Sequence, residues 1–234
     1  MCHKDRVGYF GQLLKYTEIS EEVDGLCFSN KNADFSVAVL PDIYGLTDFY
    51  KGYASYLTDF GGQVYLVNPW SKFGEPPEMT RDAAYERRHK LRDRQHCDQL
   101  GKFLSNKKIS TVIGFCIGGN FVLELARRGF QGTLIAVYPL PWGMKNQDEI
   151  TPAFEYMTTL SSNVTIFMGD ADHLAGPDNI RKIEGLVAGN SSLTLHLYKG
   201  SNHGFFTDID GSDQKLKLNA NDAIDKINKI LFSS

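Results

Sequence analysis

Six short runs of apolar and β-branched residues recur along the chain and constrain its fold more than any other feature. Most of these runs are apolar throughout, which is typical of strands whose two sheet faces are both covered. Helical patterns lie between them, so the sequence predicts an α/β fold: a mostly parallel, twisted sheet with helices on both faces. The runs are Phe35–Leu40, Val64–Asn68, Thr111–Phe115, Thr133–Tyr138, Val164–Met168 and Leu193–Tyr198.

Three of the intervening segments have the periodicity of helices. Residues 117–128 carry apolar side chains on one face and end before Gly129, a residue type favoured just after a helix. Residues 213–231 form an apolar stripe that predicts a closing amphipathic helix. The charged segment 79–105 predicts the longest polar helix of the chain.

Two short segments near the start of the chain predict a different kind of pairing. Tyr9–Leu14 and Gly25–Phe28 flank polar, turn-prone residues, which indicates a short antiparallel entry to the sheet. No internal repeat, linker or low-complexity tract interrupts the pattern. We therefore expect residues 1–234 to form a single domain without a large cap domain.

Composition and charge exclude several classes of function. The net charge of −3 over 234 residues offers no electrostatic basis for binding nucleic acid or an anionic membrane. No run of about 18 apolar residues and no signal-peptide core is present, so a cytoplasmic protein is expected. The four cysteines lie far apart without a CxxC pair, which argues against a zinc site and a disulfide scaffold.

The stretch GFCIGG, residues 114–119, places a thiol between glycines at a predicted strand-to-helix turn. This is the context of a nucleophile elbow, G-x-S/C-x-G, whose sharp turn lifts a nucleophile above the sheet. Gly114 and Gly118 remove Cβ atoms that such a turn cannot accommodate. The following helix directs its N–H groups at Cys116, so the N–H of Ile117 is a candidate oxyanion donor. The alternative is a small buried cysteine in a tight strand–helix crossing.

Two later loops supply an acid and a base. The run Val164–Met168 is followed by GDADH, which offers Asp170 and Asp172, and the last predicted strand is followed by KGSNHGFF, which offers His203. Because the carboxyl ends of parallel strands meet at one edge of a sheet, these side chains are expected near Cys116. The order nucleophile, acid, histidine is that of α/β-hydrolases. Periodicity alone does not choose between the two aspartates.

Four motifs together resemble one family. The dienelactone hydrolases, a cysteine-nucleophile branch of the α/β-hydrolase fold, carry similar motifs in the same order over nearly the whole chain. The resemblance implies hydrolysis of a small-molecule ester or lactone through a thioester acyl-enzyme, without a metal or organic cofactor, by a monomer. The motifs are LPDIYG at 40–45, GFCIGG at 114–119, GDAD at 169–172 and HGF at 203–205.

The resemblance also implies a role for each matching residue. Cys116 would be the nucleophile, His203 the general base and then the acid, and Asp172 the carboxylate that orients the imidazole. Ile43 and Ile117 would donate backbone N–H groups to the oxyanion. This assignment gives a complete catalytic centre at the carboxyl edge of the sheet.

The substrate contacts implied by the resemblance are Asp42, Arg81 and Tyr85. Asp42 stands where the family has a glutamate, one methylene longer, that controls the protonation of the thiol. Arg81 and Tyr85 lie one helical turn apart and match residues that touch the substrate. A second substrate-binding arginine of the family falls at Thr207, which cannot pair with a carboxylate as a guanidinium does. The sequence therefore leaves open whether the substrate is anionic.

Other readings of the same residues compete with this one. A catalytically silent protein that binds small molecules or senses oxidants through Cys116 would share the motifs. Class I glutamine amidotransferases also use a cysteine elbow, but their H-x-E motif is missing after Cys116.

His173 is expected to be a solvated loop residue. Arg87 and Arg88, in an alternating run of charges, are expected on a solvated helix surface.

Overall fold

The computed structural model describes residues 10, 13–29, 33, 35–75 and 78–232. Within these residues one sheet of eight strands runs through the molecule, in the spatial order first, second, fourth, third, fifth, sixth, seventh and eighth. In chain order the strands are β1 (Tyr16–Ser20), β2 (Asp24–Phe28), β3 (Phe35–Leu40), β4 (Gly62–Asn68), β5 (Thr111–Phe115), β6 (Thr133–Val137), β7 (Val164–Gly169) and β8 (Leu193–Tyr198).

Strand pairing confirms the predicted α/β class. The strands β4, β3, β5, β6, β7 and β8 pair in parallel, whereas β1 and β2 pair antiparallel with each other and β2 pairs antiparallel with β4. All six apolar runs of the sequence form strands of this sheet. Their carboxyl ends lie at one edge, where the loops that carry the candidate site residues emerge.

The antiparallel entry exists, but its first strand was predicted at the wrong residues. The partner of β2 is Tyr16–Ser20, not Tyr9–Leu14. Residues 9, 11 and 12 lie outside the described residues, while Leu13 and Leu14 precede the strand and are exposed. The N–H of Leu14 donates to the hydroxyl of Ser55, which ties this segment to a helix and not to the sheet.

Helices cover both faces of the sheet and divide the core in two. The side chains of each strand alternate, so that Val37 and Ile113 pack with one cluster and Ala38 and Val112 with the other. The first and last helices bury their apolar faces in the former cluster, and the third and fourth in the latter. The described helices are α1 (Asp48–Asp59), α2 (Arg81–Lys90), α3 (Asp93–Asn106), α4 (Ile117–Arg127), α5 (Gly176–Ala188) and α6 (Gln214–Phe232).

The single polar helix predicted over residues 79–105 is wrong, because the chain breaks into α2 and α3. Leu91 has an extended backbone, with φ −68° and ψ 135°, and turns its side chain into the core. Directly beside the break, Arg88 donates to Asp93 at 2.6 Å, and both side chains are buried. A buried apolar residue and a buried ion pair thus favour the corner over a continuous helix.

The expectation that Arg87 and Arg88 lie on a solvated helix surface is also wrong. Both residues are buried, with 4% and 0% of their surface exposed. Alternating charges indicate a solvated face only when the helix has no neighbour on that side, and α2 lies against the loop after β3. None of the described helices has the length and apolar composition needed to cross a membrane.

Candidate active site

Cys116 occupies a strained turn between the end of β5 and the start of α4. Its φ of 55° and ψ of −114° lie in a region that residues with a Cβ atom rarely adopt. The N–H of Cys116 donates to the carbonyl oxygen of Val137 at 2.9 Å, which anchors the turn to the neighbouring strand. The thiol is therefore presented at the carboxyl edge of the sheet, directly before the N-terminus of a helix.

The glycines around Cys116 are required by close backbone approach. A Cβ atom added to Gly114 would lie 2.1 Å from the carbonyl oxygen of Gly118. One added to Gly118 would lie 2.2 Å from the carbonyl oxygen of Leu40 on β3. Both distances are far shorter than any van der Waals contact, so the strand–turn–helix corner can close only with glycine at these two positions.

Asp172 and His203 form a hydrogen-bonded pair in the loops after β7 and β8. Nδ1 of His203 lies 2.8 Å from Oδ2 of Asp172, and both side chains are almost completely buried. Because an ionised carboxylate can only accept, Nδ1 carries the hydrogen and the lone pair of the neutral ring is on Nε2. Periodicity did not choose between the two aspartates, and the structure places Asp172 beside the histidine.

The surroundings of Asp172 keep it ionised. Burial by itself would raise the pKa of this carboxyl group, but hydrogen bonds from His203 and from two backbone N–H groups outweigh burial and lower the pKa below its usual value. The N–H groups of Leu174 and Ala175 donate to the other carboxylate oxygen at 2.9 Å and 3.1 Å. A charged acceptor fixed in this way holds the imidazole in one orientation.

Asp170 has a separate structural role. Its Oδ1 accepts a hydrogen bond from the N–H of Gly200 at 2.6 Å and so braces the turn after β8. His196, within β8, packs with its ring centre 4.8 Å from that of Phe167. Neither residue lines the cavity next to Cys116.

A small cavity of roughly 130 Å³ brings most of the predicted site residues together. Cys116 and His203 both line it, as do Ile43, Arg81 and Tyr85 from the loop after β3 and from α2. Larger depressions occur elsewhere, including one of about 460 Å³ beside Cys97 and Arg128, but none of the predicted site residues lines that one. Chemistry, not size, therefore marks the candidate site. The other lining residues are Tyr44, Leu140, Met144, His173 and Leu174.

Of the two predicted oxyanion donors, Ile43 lines the cavity, whereas Ile117 follows Cys116 and is not among the lining residues. Ile117 is the first residue of α4, and the first N–H groups of a helix have no acceptor within the helix. Ile43 lies in a tight turn closed by a hydrogen bond of 3.2 Å from the N–H of Gly45 to the carbonyl oxygen of Asp42. Both are backbone groups, so no side-chain chemistry in the sequence marks them.

Asp42 is fully buried and organises that turn. Its Oδ1 accepts a hydrogen bond of 2.8 Å from the N–H of Tyr44, and its own N–H donates to the hydroxyl oxygen of Tyr50 at 3.3 Å. Asp42 does not belong to the residues that line the cavity. Direct contact between Asp42 and a substrate stays a prediction, whereas its contacts within the turn are structural observations.

Arg81 and Tyr85 share one face of α2. The guanidinium carbon of Arg81 lies 5.5 Å from the centre of the Tyr85 ring, in cation–π geometry, and both residues line the cavity. Thr207, where the family has a second arginine, donates its hydroxyl to the carbonyl oxygen of Gly204 at 3.0 Å. Arg81 is thus the cationic side chain of the described lining.

His173 is an exposed loop residue, as expected, but sequence reasoning missed that it also lines the cavity. Its ring centre lies 6.4 Å from that of His203. Nδ1 of His173 is 2.5 Å from Oδ1 of Asn202, an oxygen that also accepts from the N–H of His203. The position of His173 directly after Asp172 is the sequence feature that could have predicted its place near the site. Asn202 links the loops that carry His173 and His203.

The other described cysteines do not lie in a comparable turn beside a histidine. Cys27 and Cys97 are buried free thiols, and burial raises the pKa of each. Cys2 lies outside the described residues. Across the part of the chain that the structure describes, no group of three or more histidine, cysteine, aspartate or glutamate residues could hold a metal ion.

The strand order, the strained elbow after β5 and the acid–histidine pair after β7 and β8 define an α/β-hydrolase. The model of the dienelactone hydrolase family matches residues 23–231. The chain belongs to the dienelactone hydrolase family and is an enzyme of the carboxylic ester hydrolase class.

Individual relatives agree with this assignment. A carboxymethylenebutenolidase 2 from Cupriavidus pinatubonensis is 39% identical over 214 residues, which is 91% of either chain. A carboxymethylenebutenolidase from Rhodococcus opacus is 24% identical and covers 77% of this chain and 74% of its own. A crystal structure of a Klebsiella pneumoniae protein described as a dienelactone hydrolase shares the fold, with a TM-score of 0.77 at 18% identity, over 92% of this chain and 96% of its own.

Proposed function

We propose that the protein hydrolyses a carboxylic ester or lactone of a small molecule through a triad of Cys116, His203 and Asp172. The observation that carries this proposal is the hydrogen bond of 2.8 Å between His203 and Asp172, with His203 opening onto the cavity that Cys116 also lines. An oriented imidazole beside a thiol on a strained turn is the arrangement that nucleophilic acyl transfer needs.

The first half-reaction forms a thioester. Cys116 gives its proton to Nε2 of His203, and the sulfur attacks the carbonyl carbon of the substrate. The N–H groups of Ile43 and Ile117 stabilise the negative charge that develops on the carbonyl oxygen. When the ester C–O bond breaks, His203 returns the proton to the leaving alkoxide, and the acyl group stays on the sulfur.

The second half-reaction restores the thiol. His203 takes a proton from water, and the resulting hydroxide attacks the thioester carbonyl at the same oxyanion site. The C–S bond then breaks, the proton on His203 returns to the sulfur of Cys116, and the carboxylic acid leaves. Asp172 keeps the imidazole oriented and stabilises its charged form in both halves.

The volume and the charge of the cavity favour a compact and anionic substrate. A volume of roughly 130 Å³ suits a small ring or a short acyl group, and Arg81 places a guanidinium at its wall. The relative from Cupriavidus pinatubonensis is named for a carboxymethylene-substituted butenolide, a lactone of this type. We propose that Arg81 pairs with a carboxylate of the substrate and that Tyr85 and Asp42 help to form its site.

We further propose that the chain acts as one domain and as a monomer in the cytoplasm, with no nucleic acid partner, metal or organic cofactor. The single sheet that includes every described strand and the net charge of −3 support this arrangement. Size-exclusion chromatography with light scattering should give a mass near 26.2 kDa. A mass of twice that value would contradict the monomer.

The test of the mechanism is a panel of activated esters and lactones with the wild type, Cys116→Ala and His203→Ala. Cys116→Ala should lose turnover by more than about 10³-fold, and His203→Ala nearly as much, because the thiol then has no base. Intact mass spectrometry should show an acyl adduct on the wild type alone. The triad is wrong if Cys116→Ala keeps its activity with an unchanged circular dichroism spectrum.

A further inference from the structure

The peptide group that joins Asp42 to Ile43 has two functional ends. Its N–H, on Ile43, is the proposed oxyanion donor, and its carbonyl oxygen belongs to Asp42. A peptide group is planar, so whatever holds the carbonyl oxygen also fixes the direction of the N–H. The contacts of this one oxygen therefore bear on catalysis.

Trp70, in the segment after β4, holds that carbonyl oxygen. Its indole Nε1 donates to the carbonyl oxygen of Asp42 at 3.2 Å, and only 1% of Trp70 is exposed. The turn and the indole lie in close contact: a Cβ atom on Gly45, whose φ is 79°, would lie 2.6 Å from Cδ1 of Trp70. The ring thus fits against a turn that only glycine can complete.

Arg87, on α2, holds the two carbonyl oxygens that follow. Its Nη2 donates to the carbonyl oxygens of Ile43 and Tyr44, both at 3.1 Å, while Nη1 pairs with Glu75 at 3.1 Å. The guanidinium also lies over the indole of Trp70, 5.3 Å from its ring centre. The two side chains therefore support each other as well as three successive peptide carbonyls.

We propose that Trp70 and Arg87 are positioning residues that hold the N–H of Ile43 in the oxyanion hole. They never touch the substrate. They fix the turn from behind, and the hydrogen bond to the carbonyl oxygen of Asp42 also polarises the peptide and strengthens its N–H as a donor. The inference rests on the proposed function, because it concerns residues that position a donor of the oxyanion hole in that mechanism.

Two reactions of the same thiol separate this role from a general structural one. Acylation of Cys116 by an activated ester builds negative charge on a carbonyl oxygen and uses the oxyanion hole. Alkylation by iodoacetamide consumes the same thiolate by displacement at carbon and builds no such charge. A positioning residue for the oxyanion hole should affect only acylation.

The principal variant is Trp70→Phe, which keeps a buried aromatic ring but removes the N–H donor. The acylation rate should fall about tenfold or more, because small misplacements of catalytic donors are costly, while the alkylation rate stays within about twofold of wild type. Every variant carries Cys2→Ser, and peptide mass spectrometry confirms that the label is on Cys116.

Trp142→Phe is the matched control, since the chain has two tryptophans and Trp142 packs against Phe154 and is not among the residues that line the cavity. Both of its rates should equal those of wild type. Arg87→Lys is the second variant: it keeps the positive charge but loses the fork that spans two carbonyl oxygens and Glu75. It should show the same selective loss of acylation.

The outcomes are distinct from those of the mechanism itself. If the wild type forms no acyl adduct on Cys116, the proposed function fails. If the wild type acylates and both variants acylate at its rate, or lose acylation and alkylation in parallel, the positioning role is wrong. Should Trp70→Phe lack a cooperative thermal transition, Arg87→Lys decides alone.

Discussion

At the scale of single residues, Cys116 has a backbone conformation that depends on its surroundings. A non-glycine residue in so rare a region costs about 1–3 kcal/mol, and the surrounding structure must supply that energy. Here the hydrogen bond to Val137 and the first turn of α4 hold the residue in place. The strain places a thiol where a side chain on a regular strand or helix could not reach.

Arg81 is a second residue whose role a single substitution can test. Arg81→Ala should raise KM for an anionic ester by about tenfold, with a smaller change for a neutral ester of the same size, because only the anion loses a charged partner. Steady-state kinetics on the two substrates measure this directly. The control is Arg181→Ala on α5, which is exposed and paired with Asp178. An equal rise of KM for both substrates would contradict the carboxylate contact.

At the scale of elements, the corner from β5 to α4 depends on glycine. Gly118→Ala would bring a methyl group within 2.2 Å of the carbonyl oxygen of Leu40, so either β3 or α4 must shift. We expect a loss of about 2–3 kcal/mol in the free energy of unfolding, together with reduced activity, since Cys116 moves with the helix.

The matched control for this change is Gly185→Ala, in α5. Nothing lies within 4 Å of the added Cβ atom there, so the substitution should stabilise the protein by about 0.5–1 kcal/mol through helix propensity. Urea denaturation measures both changes. The account of the corner is wrong if Gly118→Ala is tolerated as well as Gly185→Ala.

The local sequence was sufficient to predict the central strands but not the break between α2 and α3. The central strands are covered on both faces, so continuous apolar runs revealed them almost to the residue. The break between α2 and α3 escaped notice because neither proline nor glycine marks it. Its causes are the burial of Leu91 and the contact between Arg88 and Asp93, both of which exist only once the helices pack.

At the scale of the whole molecule, a buried carboxylate links stability to pH. Glu124 on α4 is fully buried and accepts hydrogen bonds from Arg127 and Arg128, each at 2.7 Å. Burial alone would raise the pKa of Glu124, but these two arginines lower it below its usual value. The folded state therefore holds the ionised form more strongly than the unfolded chain does.

The sign of the resulting pH dependence follows from that lowered pKa. The contribution of Glu124 to stability is complete above the unfolded pKa, near 4.3, and is lost as the pH falls through the lower folded pKa. Glu124→Gln should lose about 2 kcal/mol at pH 7 and flatten the fall in melting temperature below about pH 4. Thermal denaturation from pH 2.5 to 7 tests this, with exposed Glu184→Gln as the control. If the melting temperature of Glu124→Gln falls as steeply below about pH 4 as that of the wild type, the role of Glu124 is wrong.

The sequence by itself determined the α/β class, the six central strands, the glycine-flanked turn at Cys116 and the order of Cys116, Asp172 and His203 along the chain. These are local properties: apolar runs, glycine spacing and residue order need no knowledge of neighbours across the fold. Only the tertiary structure decided that His173 reaches the cavity and that Arg87 and Trp70 hold the turn of Ile43. Such contacts join residues far apart in the chain, and their geometry exists only after the sheet and helices pack together.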